Sequence, residues 1–112
     1  MRTTEFNVIV KSQLARIENL LVSKGAEYNL DVKDRFSDFK QAAAFTGQTP
    51  EQVLYGYLLK HIMSITSMVQ SGTEFSLDRW DEKLGDIMVY CLLLRGLVAD
   101  TGRGIIEDKE HE

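Results

Sequence analysis

Two acidic residues in the last third of the chain have the spacing of a metal site. Glu82 and Asp86 are four residues apart, so on a helix their carboxylates point the same way, one turn apart. Carboxylate oxygens are the ligands that a hard divalent cation such as magnesium prefers. Alternatively, Glu82 and Asp86 form surface ion pairs with Arg79 and Lys83. Such pairs contribute little free energy. The pair predicts either a magnesium site or an ordinary charged helix surface.

A lysine and a histidine stand next to each other earlier in the chain. When residues 50–70 are placed on a helix, Lys60 is the one cation centred on a face of small and polar side chains. A lysine in that position either contacts a phosphate or is simply solvated. His61 projects into the apolar arc of the same helix, which favours a core or boundary histidine over a catalytic one. Lys60 is therefore the candidate phosphate contact.

Apolar spacing and capping residues predict four helices, and so an all-α fold, most simply a four-helix bundle. Thr49 and Gln52 form a capping box around Pro50, which suits the first helical position. Asp34 and Ser76 are expected to cap the second and fourth helices. The segments run from about Glu5 to Lys24, from Arg35 to Phe45, from Pro50 to Val69 or Gln70, and from the Ser76 cap to about Asp100. We expect one helical domain over residues 1–104 and a charged, frayed tail over 105–112.

Composition excludes several classes of protein. The chain has 112 residues, 44% hydrophobic and 27% charged, with one Cys and a formal net charge of −4. That length suits one domain, and a single Cys cannot form an internal disulfide. The negative charge argues against general binding to nucleic acid or to an anionic membrane. The longest apolar run, Ile87 to Leu94, is too short to cross a bilayer, and no signal-peptide pattern precedes it. We expect a cytoplasmic protein with Cys91 in its core.

The fourth helix is apolar on two sides, which predicts an oligomer. Its main stripe consists of Trp80, Leu84, Ile87, Met88, Cys91, Leu94 and Val98. The opposite side is acidic at Glu82 and Asp86 and then apolar at Val89, Leu93 and Leu97. A helix that is apolar all round is usually buried all round. We therefore expect a homo-oligomer, most simply a dimer, with this helix near the interface; the alternative is that the first helix covers the second side.

The order of residues resembles a group of small helical proteins from bacteriophages and prophages. That group has an acid followed by Tyr after the first helix, an aromatic-rich second helix, a Lys on the third, and an Asp followed by a Tyr on the fourth. The matching stretches are KGAEYN at 24–29, RFSDFKQAA at 35–43, TPE at 49–51, KHIMSI at 60–65, and the segment from Trp80 to Tyr90. The resemblance covers residues 24–97.

These phage proteins are in turn distantly similar to the MazG-like all-α nucleoside triphosphate pyrophosphohydrolases. That family holds magnesium with acids from two helices and uses a Lys at the phosphates. The resemblance implies that Glu82 and Asp86 match the later acids, that Lys60 contacts phosphate, and that Glu27, with Asp31, stands for the earlier acids. The first helix carries Glu18 alone where the family has Glu-Glu-x-x-Glu, which predicts a weak metal site.

The favoured function is therefore a phage-type protein that binds, or weakly hydrolyses, a (deoxy)nucleotide with magnesium. In that mechanism Asp86 or Glu27 orients the attacking water, and Lys60 neutralises developing charge. Tyr28 or Trp80 would stack on the base, with ordinary packing as the alternative for both rings.

Two other functions remain open. A non-catalytic oligomeric protein could bind a host or phage protein through its apolar surfaces. A DNA-binding repressor could use a helix-turn-helix across Gly47, but the third helix offers only Lys60 and His61 as basic side chains. Recognition helices usually present several groups that reach phosphates and base edges, so this alternative has the least support.

Overall fold

The computed structural model describes residues 1–23 and 34–103, and that part of the chain contains four α-helices and no strand. The helices are α1 (Thr3–Glu18), α2 (Ser37–Thr46), α3 (Pro50–Ser71) and α4 (Leu77–Val98). A π-helical turn continues α1 over Asn19–Ser23, and another continues α4 over Ala99–Arg103. The all-α class is confirmed. Glu27, Tyr28, Asp31 and the predicted 105–112 tail lie outside the described residues.

The helix ends follow the predicted signals at α3 and α4. The Thr49 hydroxyl accepts from the Gln52 N–H at 3.2 Å, and the Gln52 side chain accepts from the Thr49 N–H at 2.9 Å. The Ser76 hydroxyl accepts from the Arg79 N–H at 3.2 Å. Each bond satisfies a backbone donor that the first helical turn leaves without a partner. Gly47 ends α2 in the left-handed conformation, at φ 70°.

The start of α2 differs from the prediction by two residues. The helix begins at Ser37, not at Arg35. The Asp34 carboxylate accepts from the Phe36 N–H at 3.0 Å and from Lys40 Nζ at 2.5 Å. Asp34 therefore closes a turn ahead of the helix, a local bond that Asp side chains readily form. Lys40 also lies 2.6 Å from the carboxylate of Asp100, so it joins the turn before α2 to the end of α4.

Helices α3 and α4 form an antiparallel hairpin. Tyr57 stacks on Tyr90, and His61, one turn later in α3, faces Asp86, one turn earlier in α4. Leu54 and Leu97 are the largest fully buried side chains in the described part of the chain. Complete burial of a leucine contributes about 1.5–3 kcal/mol.

The other two helices pack on this hairpin. Helix α2 places Phe39 edge-on against Tyr57. Phe36, the residue before α2, lies over Gly96 of α4. Helix α1 lies along α4, where the Gln13 amide donates to Asp81 at 2.9 Å and the Arg16 side chain lies over Gly85. No described helix has the length and apolar character that crossing a membrane requires.

The buried side of α4 is not the one that the sequence favoured. In the predicted main stripe, Leu84 and Cys91 are exposed, so the expectation of a core Cys91 is wrong. Leu97, on the opposite side of the helix, is completely buried. The reason is geometric, because α2 and α3 both contact α4 on the side that carries Tyr90 and Leu97. Within the described residues, Leu84 and Cys91 of the main stripe are exposed and its other members are half-buried.

Candidate functional site

A groove runs along α3 where α2 packs beside it, and it has two lobes. The aromatic lobe has a volume of about 230 Å³, and the lysine lobe has a volume of about 220 Å³. Val53 and Tyr57 line both lobes, so the lobes are adjacent along α3. The aromatic lobe is also lined by Arg35, Asp38, Phe39, Ala42 and Tyr90, and the lysine lobe by Gln48, Gln52, Gly56 and Lys60. We call the whole feature the α2–α3 groove.

Four rings form a continuous cluster along this groove. The Phe39 and Tyr57 centroids are 5.9 Å apart at 77°, the Tyr57 and Tyr90 centroids 6.3 Å apart at 14°, and the His61 and Tyr90 centroids 5.0 Å apart at 29°. Tyr57 and His61 are four residues apart on α3, so they share one face. Each aromatic pair contributes about 0.5–1.5 kcal/mol beyond area burial. The cluster gives the aromatic lobe a wall on which a planar ligand can stack.

The electrostatics of the cluster favour a protonated Tyr90. Burial of the ring, and then the nearby negative charge of Asp86, raise the pKa of the Tyr90 hydroxyl above its ordinary value of 10.0. That hydroxyl therefore keeps its proton at neutral pH and can donate a hydrogen bond. Asp86 Oδ2 lies 3.5 Å from His61 Nδ1, which is long for a charge-assisted bond. Among the described residues, Asp86 therefore lies beside the ring cluster without a short ion pair.

Two cations stand at different ends of the groove. Arg35 lines the aromatic lobe, and Lys60 lines the lysine lobe. Both residues are exposed, and neither forms an ion pair with another residue of the described segments. Their charges are available to an anionic ligand that spans the groove.

Of the predicted site residues that the structure describes, only Lys60 lines the groove. Lys60 lines the lysine lobe, and the antiparallel register puts it at nearly the same level as Asp86 along the hairpin. Asp86 lies one helical turn from Tyr90, which lines the aromatic lobe. Glu82 is one turn further away and exposed. Lys60 is therefore part of the groove, whereas neither Asp86 nor Glu82 belongs to its lining.

The predicted base-stacking residues are placed differently. Trp80 packs edge-on against Phe75 with centroids 6.2 Å apart, at the start of α4. The register of the hairpin puts Trp80 opposite position 67 of α3, which is roughly 10 Å along the helix axis from Lys60. The structure therefore does not bring Trp80 to the groove. Tyr28 and Glu27 lie outside the described residues, so their predicted roles stay predictions.

Two of the three carboxylates predicted to hold magnesium, Glu82 and Asp86, lie in the described part of the chain, and Glu27 does not. Within residues 1–23 and 34–103, no group of three His, Cys, Asp or Glu side chains is arranged to hold a metal ion. Magnesium is usually held by one or two protein carboxylates together with substrate phosphates and water, not by a complete protein cage. The magnesium site therefore stays a prediction.

Of the residues that line the groove, sequence reasoning named only Lys60, and it missed the aromatic wall of Phe39, Tyr57 and Tyr90 together with Arg35. A signal for part of it was present, because Tyr57–His61 and Asp86–Tyr90 are both four apart, on helices joined by a short connection. Two such pairs on an antiparallel hairpin can face each other. Nothing in the spacing indicates that α2 lies over Tyr57, which is what brings Arg35 and Phe39 to the site. His61, predicted to be a boundary residue, is half-buried.

In comparisons with known proteins, no protein-family model, curated protein or solved structure matches the chain.

Proposed function

We propose that this chain binds a (deoxy)nucleotide in the α2–α3 groove, as a phage-type helical protein akin to the MazG-like group. The observation that carries the proposal is the aromatic wall of Phe39, Tyr57 and Tyr90, with Arg35 and Lys60 at its two ends. Base–aromatic stacking is worth about 1–3 kcal/mol per base. Lysine binds phosphate as a point charge, and arginine binds anions through a planar fork.

The two lobes divide the ligand between them. Together they reach the volume of typical small-molecule pockets, about 300–1,000 Å³. The base occupies the aromatic lobe, where the Asp38 carboxylate accepts from an exocyclic amino group. The phosphates occupy the lysine lobe, beside Lys60 and the Gln48 and Gln52 amides.

A glycine in the middle of α3 supports this division. Gly56 lines the lysine lobe, and a Cβ added there would meet nothing within 4 Å. Packing therefore does not require glycine, although glycine in a helix interior costs about 0.5–1 kcal/mol relative to alanine. What the missing side chain does provide is open volume next to Lys60. A binding site explains a glycine that the fold itself does not need.

Magnesium belongs to the proposal as a companion of the ligand. Asp86 and Glu82, with Glu27, would hold it, and the bound ion would neutralise phosphate charge. Asp86, beside His61, is the residue of the described part that can orient a water for slow hydrolysis. Binding is the primary activity proposed, and turnover is secondary to it.

Calorimetric titration with nucleoside mono-, di- and triphosphates, with and without magnesium, tests the proposal. Gly56→Leu should abolish binding by filling the lysine lobe while leaving the melting temperature equal or higher, because leucine is the better helix former. Lys60→Met should weaken triphosphate binding about tenfold, a loss of about 1.4 kcal/mol. The double variant Glu82→Ala with Asp86→Ala should remove only the magnesium-dependent part. No heat with any nucleotide would sink the proposal.

We also infer that the chain works as a homo-oligomer, with a dimer favoured and α4 near the interface. The support is the side of α4 that carries Leu84 and Cys91, which is apolar and exposed. Equilibrium sedimentation of the wild-type chain over a concentration series tests this inference, and a monomer at every concentration would contradict it.

One observation favours a second candidate function, the binding of a host or phage protein. In α1, Phe6, Val8 and Leu14 are 54%, 66% and 61% exposed. A cavity of about 360 Å³ between Val8 and Leu77 adjoins them. Under this function, nucleotides and magnesium leave the melting temperature unchanged. Leu14→Glu then abolishes the biological effect of the chain without unfolding it, which thermal melting would show.

A further inference from the structure

Helices α3 and α4 each carry a second apolar seam, rotated away from the one that they bury. The seam of α3 is Tyr55, Leu59, Ile62, Thr66 and Val69, and the seam of α4 is Trp80, Leu84, Ile87, Cys91 and Leu94. Both seams repeat at steps of four and three, the spacing of a coiled-coil contact. We call the two seams together the outer face.

Seven of the ten outer-face residues are exposed in the single chain, and Trp80, Ile87 and Leu94 are half-buried. Tyr55 is 52% and Val69 67% exposed, and Leu59, Ile62, Leu84 and Cys91 are also exposed. None of its ten side chains is charged. A helix face that meets water normally carries charged residues. The composition therefore indicates a surface that is covered when the protein functions.

The two seams lie on one side of the hairpin. The seam that α3 buries against α4 contains Leu54, Leu58, His61, Ile65 and Met68, each one residue before a member of the outer seam. The inward seam of α4 contains Asp86, Tyr90 and Leu93, again one residue before an outer member. One residue turns a helix by 100°. In an antiparallel pair, this same step turns both helices toward the same side, away from α2 and the groove.

We propose that a second copy of this chain covers the outer face, so that two α3–α4 hairpins form an intermolecular four-helix bundle. This inference rests on the proposed homo-oligomer and assigns its interface. The coiled-coil spacing calls for helices as the partner. A hairpin whose two helices carry the same spacing can pair with itself about a two-fold axis, where one patch serves both subunits.

The rest of the chain does not offer an equivalent cover. Helix α1 is engaged with α4 at Gln13 and Arg16. The stretches outside the described residues have ten and nine residues, and their large apolar members are Tyr28, Leu30, Val32, Ile105 and Ile106. Each stretch is shorter than the fifteen residues from Tyr55 to Val69, and neither contains a run at four-three spacing. A second copy supplies two helices of matching length and pattern.

Cys91 gives the interface a natural reporter. Its thiol is exposed in the single chain and lies in the α4 seam. The proposed dimer buries it. Thiol labelling of the wild-type chain should therefore slow as protein concentration rises through the dimer dissociation constant.

Neighbouring residues of α3 provide a matched test. Ile62, 37% exposed, belongs to the outer face, whereas Met63, 61% exposed, is rotated 100° away from it. Ile62→Glu should raise the dimer dissociation constant at least about thirtyfold in sedimentation, the size of an interface hot spot. It should also keep Cys91 labelling fast at all concentrations. Met63→Glu should change neither, and circular dichroism confirms that both variants remain helical.

The possible failures can be told apart. A wild-type chain that stays monomeric overturns the proposed oligomer itself. A wild-type dimer that Ile62→Glu and Leu84→Glu both leave intact, with Cys91 labelled at a constant rate, overturns the outer face as the interface. If Ile62→Glu fails to fold, wild-type labelling still tests the interface. A Cys91 labelling rate that falls with protein concentration supports the outer face, and a constant rate in a dimer contradicts it. Nucleotide titration of the same samples reports separately on the groove.

Discussion

The two sides of the α3–α4 hairpin differ in chemistry although they are built from the same two helices. The groove side places Tyr57 and Tyr90 beside Arg35 and Lys60, and α2 covers part of it. The outer face has no charged side chain, and seven of its ten residues are exposed. The seam that the two helices bury against each other lies between the two surfaces. A short chain can therefore specify a polar ligand groove and an apolar contact surface on one pair of helices.

The largest difference between the two sides should appear on truncating leucines of α4. Leu97 points inward and is completely buried, whereas Leu84 belongs to the outer face and is 41% exposed. Leu97→Ala should lower the free energy of unfolding by about 2–5 kcal/mol, because it leaves a cavity. Leu84→Ala should cost less than about 1 kcal/mol in dilute solution. Urea denaturation measures both, and equal losses would mean that the outer face is packed within the single chain.

The glycines of the two long helices sharpen the comparison further. A Cβ on Gly96 would lie 3.1 Å from Cζ of Phe36, whereas one on Gly56 would meet open space. Gly96→Leu should therefore destabilise the fold by about 1–3 kcal/mol through overpacking. Gly56→Ala should stabilise it by about 0.5–1 kcal/mol. Thermal melting of both variants checks the signs, and a stabilising Gly96→Leu would place Phe36 elsewhere.

Features that depend on interactions between residues close in sequence could be predicted, and features that depend on contacts between helices could not. The starts of α3 and α4 were predictable, because Thr49 and Ser76 bond within three residues. The choice of buried side on α4 was not, since both stripes are apolar and the position of α2 decides between them. The groove required knowing that Phe39 meets Tyr57, a contact between helices that no spacing within one helix encodes. Lys60 was predicted as a site residue because its charge stands alone on its face.

Two tyrosines of α3 form a matched pair across the hairpin. Tyr57 contacts Phe39 and Tyr90, while Tyr55 lies on the outer face, and their exposed fractions are 47% and 52%. Tyr57→Leu should cost about 0.5–1.5 kcal/mol of stability for each lost ring contact and should weaken nucleotide binding. Tyr55→Leu should spare binding and alter only the concentration dependence of melting. If Tyr55→Leu weakened nucleotide binding as much as Tyr57→Leu, the assignment of the groove would fail.

The smallest effect concerns the exposed bridge from Lys40 to Asp34 and Asp100, which lies on neither side of the hairpin. The hydrogen bond from Lys40, and then that from the Phe36 N–H, lower the pKa of Asp34 below 3.8. The hydrogen bond to Asp100, and then that to Asp34, raise the pKa of Lys40 above 10.5.

The signs of these shifts define a pH window. A lowered acid pKa contributes stability that is present above pH 3.8 and is lost as pH falls through the folded value. A raised lysine pKa contributes stability that is present below pH 10.5 and is lost as pH rises through the folded value. The difference in melting temperature between wild type and Lys40→Met should therefore be constant from about pH 5 to 9. It should be no more than about 2 °C there, and it should shrink at both extremes.

The stability of the fold also falls above pH 10 through Tyr90, because the pKa of Tyr90 in the folded state is raised above its ordinary value. That loss is common to wild type and Lys40→Met, so it cancels in their difference. A difference that persisted unchanged at pH 3 would show that Lys40 stabilises the fold through its methylene chain and not through its charge. High salt provides an independent check, because it should shrink an exposed ionic contribution and leave a packing contribution intact.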